Sequence, residues 1–138
     1  MAMTVETHLP PERQAWRAMF ALSLGFFVSL LDQSMVAVAL PNLQRDLDAG
    51  VNQAMWVSAS YLLAAVVPLL FAGRLGDVLG QRRMFCLGVA IFGVGAMVCA
   101  IAPQVEVLIA ARAVQGVGAS LQMLSLIHIS EPTRRTPI

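Results

Sequence analysis

Four long apolar stretches follow one another along this chain, at about 18–40, 54–72, 84–101 and 107–123, with short polar breaks between them. Each is close to or above the roughly 18 residues at which an apolar run reads as a membrane-spanning helix, the last at the short end of the range. The pattern therefore predicts an all-α, polytopic membrane protein with four transmembrane helices. Pro41 is expected to end the first span and Pro68 to kink the second, because proline lacks the N–H that an inner helical turn uses. The break between the second and third spans runs from Gly73 to Arg83 and is charged and punctuated by glycine. Its glycines permit a tight turn.

Composition agrees with the pattern. Hydrophobic residues make up 58% of the 138 residues and charged residues 12%, with no lysine at all. A soluble domain of this length would need a charged exterior that this chain cannot supply, so the lipid bilayer is its surroundings. Residues 1–14 are polar and include Pro10 and Pro11, without the basic start or small-residue cleavage site of a signal peptide. They are read as a short disordered cytoplasmic tail, and 15–123 as the membrane unit. Arg13, Arg17, Arg74, Arg82 and Arg83 fall on one side and Arg45 alone on the other. The positive-inside rule then puts the amino terminus and the 73–83 loop in the cytoplasm of a multi-pass inner (plasma) membrane protein. Trp16 and Trp56 lie at span edges, where indole rings anchor in the headgroup zone.

The carboxyl end has a different character. Residues 124–134 match the in-frame translation of a transposon-type sequencing-library adapter, and the agreement extends to Ile138. Residues 124–138 are therefore expected to be a non-native tail and are set aside from functional reasoning. Leu124 to Ile129 are apolar enough to prolong the fourth helix, and Glu131-Pro132 should stop it. The remainder reads as the first part of a truncated gene product.

Two ionisable residues lie inside spans, where charge is costly and marks function by default. Counted from Arg17 at 1.5 Å per residue, Asp32 lies about 22 Å up the first helix, roughly 8 Å short of the outer edge of a core about 30 Å thick. The fourth span runs the other way from Glu106, which puts Arg112 about 9 Å below the same edge. Opposite charges at matching depth read either as a structural ion pair or as a proton-coupling site. In the second case Asp32 must be the titrating member, since arginine stays charged. Gln33 and Gln115 would either line a polar cavity or tie helices together. Gly116, Gly118 and Ser120, with Gly88, Gly93 and Gly95, read as surfaces for close helix packing. Gly116 and Gly118 are not a dinucleotide fingerprint, because no strand precedes them. Cys86 and Cys99, about 20 Å apart on one helix, cannot bridge and read as packing residues. His8 has no companion ligand, so no metal site is implied.

These segments also resemble a known family. The run from Gly73 to Arg83 closely resembles the loop between the second and third helices of the major facilitator superfamily, G-x-x-x-D-x-x-G-R-R. Leu31 to Pro41 resembles the first-helix motif L-D-x-T-x-V-x-V-A-L-P of its fourteen-helix drug–proton antiporter branch, with Ser34 in place of threonine. Leu108 to Ser120 is similar to the fourth-helix motif L-x-x-R-x-x-Q-G-x-G-A-A. The resemblance implies a proton-transfer role for Arg112, with Asp32 as its partner. It implies that Gly73, Asp77, Gly80, Arg82 and Arg83 latch two six-helix halves together. Val78 and Gln81 stand where the family commonly has basic residues, which weakens the latch in charge; Asp77 could instead cap a helix or pair with Arg82.

The expected function is thus a piece of a proton-coupled exporter of small hydrophobic or amphiphilic drug-like molecules, inactive without its remaining helices. The proton is the coupling ion and no other cofactor is implied. The alternatives are a sugar or metabolite facilitator and a small four-helix membrane protein or scaffold. Nothing in the chain suggests an enzyme or a nucleic-acid partner.

Overall fold

A computed structural model describes residues 12–130, all of the chain's regular structure there being helical. Five helices follow in order: α1 (Glu12–Asp46), α2 (Val51–Leu70), α3 (Ala72–Leu79), α4 (Gln81–Ala100) and α5 (Val105–Ser130). Four of them are long and apolar enough to cross a membrane, and α3 is the eight-residue exception. A 20-residue helix such as α2 or α4 is about 30 Å long, matching the hydrocarbon core. At 35 residues α1 is far longer, so both of its charged ends reach past the apolar zone.

Helix α5 is the centre of the bundle. Of its apolar window 56% is buried against neighbours, compared with 11% for α1. It packs chiefly on α2 and α4, while α1 touches α2 and α5 sparingly. Between helices in lipid no water-driven force operates, so association rests on close van der Waals fit. The glycines supply it. A Cβ on Gly118 would come within 2.6 Å of the Phe92 backbone nitrogen, and one on Gly88 within 2.8 Å of the Gly118 carbonyl oxygen. Gly95 closes against Gln115 in the same way. Gly116 faces the other side and meets the backbone of Tyr61 on α2. Gly93, read as a packing glycine, would have nothing within 4 Å of an added Cβ and takes no part among the described residues.

Two apolar clusters cap the ends of α5. One joins Val57, Val105 and Leu108 with Leu40 and Leu43 of α1 and with Leu47 just beyond its end. The other joins Met84, Leu121 and Leu124 with Leu69 and Leu75. Arg112, Gln115 and Ser120 of α5 lie between them.

Three features depart from the sequence reading. Pro41 does not end the first helix, which continues to Asp46. Leu43 and Leu47 pack into the first apolar cluster, and that packing outweighs the one hydrogen bond proline removes. The helix stops instead where Asp48 turns left-handed at φ 49°, with the Ala49 N–H bonded to the Gln44 carbonyl oxygen at 2.9 Å. Glu12, Arg13 and Gln14, assigned to the disordered tail, already belong to α1; residues 1–11 lie outside the described chain. Thirdly, the tight turn expected at 73–83 is mostly helix. Helix α2 closes at Phe71, whose N–H bonds to the Pro68 carbonyl oxygen at 3.1 Å, and α3 starts at once. Its Leu75 anchors it to the second apolar cluster.

The real corner is Gly80, at φ 76° and ψ 143° between α3 and α4. That backbone region is essentially closed to residues with a Cβ. Gly80→Ala is therefore expected to lower stability by about 1–3 kcal/mol, read as an earlier midpoint when the chain is unfolded from mixed micelles. An unchanged midpoint would mean the corner is not held in this geometry.

Helix α5 runs on through the adapter-like residues as far as Ser130. Leu124 is buried and the Ser125 Oγ donates to the Gln81 carbonyl oxygen at 3.1 Å. The stop expected at Glu131-Pro132 lies outside the described residues.

Candidate functional site

Arg112 occupies the middle of α5, between the two apolar clusters, and is 1% exposed. A guanidinium offers five N–H donors in a rigid fork, and this one is met by acceptors from α1 and from its own helix. Nη1 donates to Asp32 Oδ2, forming the only ion pair among the described residues, and to Gln115 Oε1 at 2.9 Å. Nη2 donates to Gln33 Oε1 at 3.0 Å. Gln115 Nε2 completes the ring by donating to Asp32 Oδ1 at 3.4 Å. Nε is buried without a hydrogen-bond partner. The Tyr61 ring of α2 covers the guanidinium, its centroid 4.5 Å from Cζ. Stacking on an aromatic face is worth about 2 kcal/mol when both groups are desolvated.

The periodicity of each helix explains the assembly. Arg112 and Gln115 are three residues apart and so share a face of α5. Asp32 and Gln33 are adjacent and straddle the α1 ridge that meets this face. Gly95 and Gly116 let α4 and α2 come close enough to seal the site from either side. The Asp32 side chain is 25% exposed, against 1% for Arg112. The two charges are thus held differently: the arginine is sealed in, while the carboxylate is partly open.

Of the residues picked from sequence, four thus converge here: Asp32, Gln33, Arg112 and Gln115. Gln33 ties α1 to α5, and the cavity it borders is apolar rather than the polar one that was its other reading. That cavity measures about 270 Å³ and lies between α1, α2 and α5, with walls that include Phe26, Leu30, Leu62 and Met123. Gln115 is buried and ties helices together. Gly116 and Gly118 lie on α5 but face different neighbours, α2 and α4. The loop residues Gly73, Asp77, Gly80, Arg82 and Arg83 form a separate group at one end of the bundle, on α3 and the first turn of α4. Asp77, Arg82 and Arg83 are exposed, and no ion pair joins Asp77 to Arg82.

Sequence reasoning missed two members. Tyr61 is the only tyrosine of the chain, but it sits in an apolar run that nothing in the sequence ties to Arg112. Cys99, read as packing, donates its thiol to Gln115 Oε1 at 3.4 Å. Ser60 was also passed over, although its Oγ donates to the Ile109 carbonyl oxygen at 3.2 Å and links α2 to α5.

A family model described as the Major Facilitator Superfamily matches residues 22–132, which takes in every residue of this cluster. The chain belongs to that superfamily. Its relatives include an uncharacterized MFS-type transporter of Mycobacterium tuberculosis, 42% identical over 126 residues that make up 89% of this chain and 22% of the relative. The multidrug resistance protein Stp of the same species is 39% identical over 83% of this chain and 22% of its own length. The riboflavin transporter RibZ of Clostridioides difficile is 35% identical over 85% of this chain and 26% of its own length. The chain thus spans about a quarter of the length of the relatives it matches. As a superfamily member with four spanning helices it is a multi-pass membrane protein of a transporter family. Its buried charge cluster is the chemically distinctive part of that fragment.

Proposed function

We propose that this chain contributes the first four spanning helices to a proton-coupled exporter of small hydrophobic or amphiphilic molecules. The observation that carries the reading is the asymmetric pair. A sealed, permanently charged arginine holds a carboxylate that is itself a quarter exposed. Protonating Asp32 would cancel its charge and leave Arg112 to Gln33, Gln115 and Tyr61, so the network survives while one cross-helix attraction is lost. A rocking motion between two helical halves can use such a change, because the ligand-free and proton-bound states then differ in how α1 is tied to α5. The apolar cavity beside Gln33 supports a greasy substrate, and the likeness to a multidrug resistance protein points the same way.

In this reading the amino terminus and the α3 segment face the cytoplasm of the plasma membrane. Asp77, Arg82 and Arg83, exposed and unpaired with one another, await the missing helices as a latch. In this reading the sequence of residues 124–138 is adapter-derived, which resequencing the locus past codon 123 decides.

The test is Asp32→Asn in the full-length protein. It preserves shape and cannot titrate, so drug-evoked proton movement in vesicles should vanish while membrane abundance holds. Wild-type coupling in that variant would reduce the pair to a structural tether. The likeness to a riboflavin transporter favours a second reading, a metabolite carrier with the same pair. Riboflavin efflux surviving where drug efflux is absent would select it.

A further inference from the structure

A second cleft, larger in volume than the one beside Gln33 and sharing Leu22 with it, opens at the amino-terminal end of α1. It measures about 500 Å³ and lies where the first turns of α1 and α4 run alongside each other. Its polar wall comes from Gln14 and Arg17 on α1, Gln81 and Arg82 on α4 and Ser125 in the adapter-like part of α5, and its apolar wall includes Leu22 and Phe85. Both arginines are exposed. Among the described residues no acidic one lines the cleft and neither arginine is ion-paired, Asp32–Arg112 being the sole pair there. Two uncompensated cations at a span end therefore sit directly beside an apolar slot that runs into the bundle.

We infer that this cleft binds the headgroup of an anionic phospholipid, its phosphate between Arg17 and Arg82 and the start of an acyl chain along Leu22 and Phe85. Charge complementarity selects the class. Guanidinium forks match phosphate oxygens, and basic pockets between spanning helices are where such headgroups lodge. A zwitterionic lipid would bring an ammonium group for which the cleft has no carboxylate. A free phosphate would satisfy the arginines and leave Leu22 and Phe85 without a partner. The sparing contact of α1 with its neighbours gives the bound lipid a role, as mortar between α1 and α4. The binding itself does not rest on drug export. Only the leaflet, the cytoplasmic one, rests on the proposed topology.

The chain in detergent micelles can be titrated with phosphatidylglycerol, phosphatidylethanolamine or glycerol phosphate, and bound lipid counted by native mass spectrometry. Phosphatidylglycerol should bind saturably and outlast phosphatidylethanolamine on collisional activation. Arg17→Gln and Arg82→Gln should each weaken it roughly fivefold, and together on the order of 30-fold. Arg45→Gln, at the far end of α1, should leave it unchanged. Circular dichroism establishes that each variant keeps its helices. Equal retention of the two lipids, or an equal loss from Arg45→Gln, would show diffuse surface attraction and overturn the site. Glycerol phosphate displacing the lipid at equal concentration would make it a free-phosphate site and overturn the lipid assignment. Should the double variant fail to fold, the competition among the three ligands on the unaltered chain decides alone.

Discussion

Replacing Arg112 with alanine is expected to destabilise the bundle by about 3 kcal/mol, the low end of what removing one member of a buried ion pair costs. The low end applies because Asp32 is 25% exposed and can escape its orphaned state by taking a proton. Three acceptors lose the guanidinium at once, Asp32 Oδ2, Gln33 Oε1 and Gln115 Oε1, the last keeping only the weak Cys99 thiol. The Tyr61 ring loses the cation it covers. Arg112→Lys should recover only part of the loss, since an ammonium is a compact point charge and cannot reach three acceptors in one plane while stacking on a ring. The informative comparison is the double variant Asp32→Asn with Arg112→Ala. With no carboxylate left to strand, it should be more stable than Arg112→Ala alone. Unfolding midpoints in mixed micelles measure all four proteins. A double variant less stable than Arg112→Ala would mean that Asp32 contributes through contacts other than the arginine.

The charged pair was legible in the sequence because a carboxylate and a guanidinium inside apolar runs have no bland explanation. Helical rise alone put Asp32 and Arg112 at one depth, and the structure brings them into contact. The rest of the shell was harder for a physical reason. An amide such as Gln33 or Gln115 is tolerated in a span as packing or as lining, and its partner is set by a helix far away in sequence. Tyr61 and Cys99 carry no mismatch with an apolar run, so nothing local distinguishes them from core residues. Their roles exist only through the crossing of α2, α4 and α5.

The fold was legible in outline and misleading at its joints. Four spans follow from hydropathy, but Pro41 and the glycines of 73–83 are local signals that tertiary contacts override. Leu43 and Leu47 carry α1 past its proline, and Leu75 holds α3 helical where glycine suggested a turn. Only Gly80 behaves as its residue type alone would suggest, because a positive φ is a constraint on the residue itself.

The other large effect is expected about one helical turn along α5 from Arg112, at a residue without a side chain. In Gly116→Ala the added methyl would run into the Tyr61 carbonyl oxygen and lie 3.0 Å from the Ala64 Cβ. Neither obstacle is a flexible side-chain end that could rotate aside, so α2 and α5 must separate. Overpacking of this kind costs about 1–3 kcal/mol, and here it reaches the site as well. The obstructing carbonyl belongs to the residue whose ring lies 4.5 Å from the Arg112 Cζ. Moving α2 outward therefore lifts the ring from the guanidinium and unseals the cluster. Gly93→Ala is the matching control, since nothing lies within 4 Å of its new methyl. It should be neutral or gain up to about 1 kcal/mol from the better helix propensity of alanine. Unfolding midpoints give the energies. Solvent quenching of Tyr61 fluorescence, in a chain whose Trp16 and Trp56 are changed to phenylalanine, reports the unsealing. If Gly116→Ala matched Gly93→Ala on both readouts, α2 and α5 would not meet at Gly116, and the ring over Arg112 would have to be held by something else.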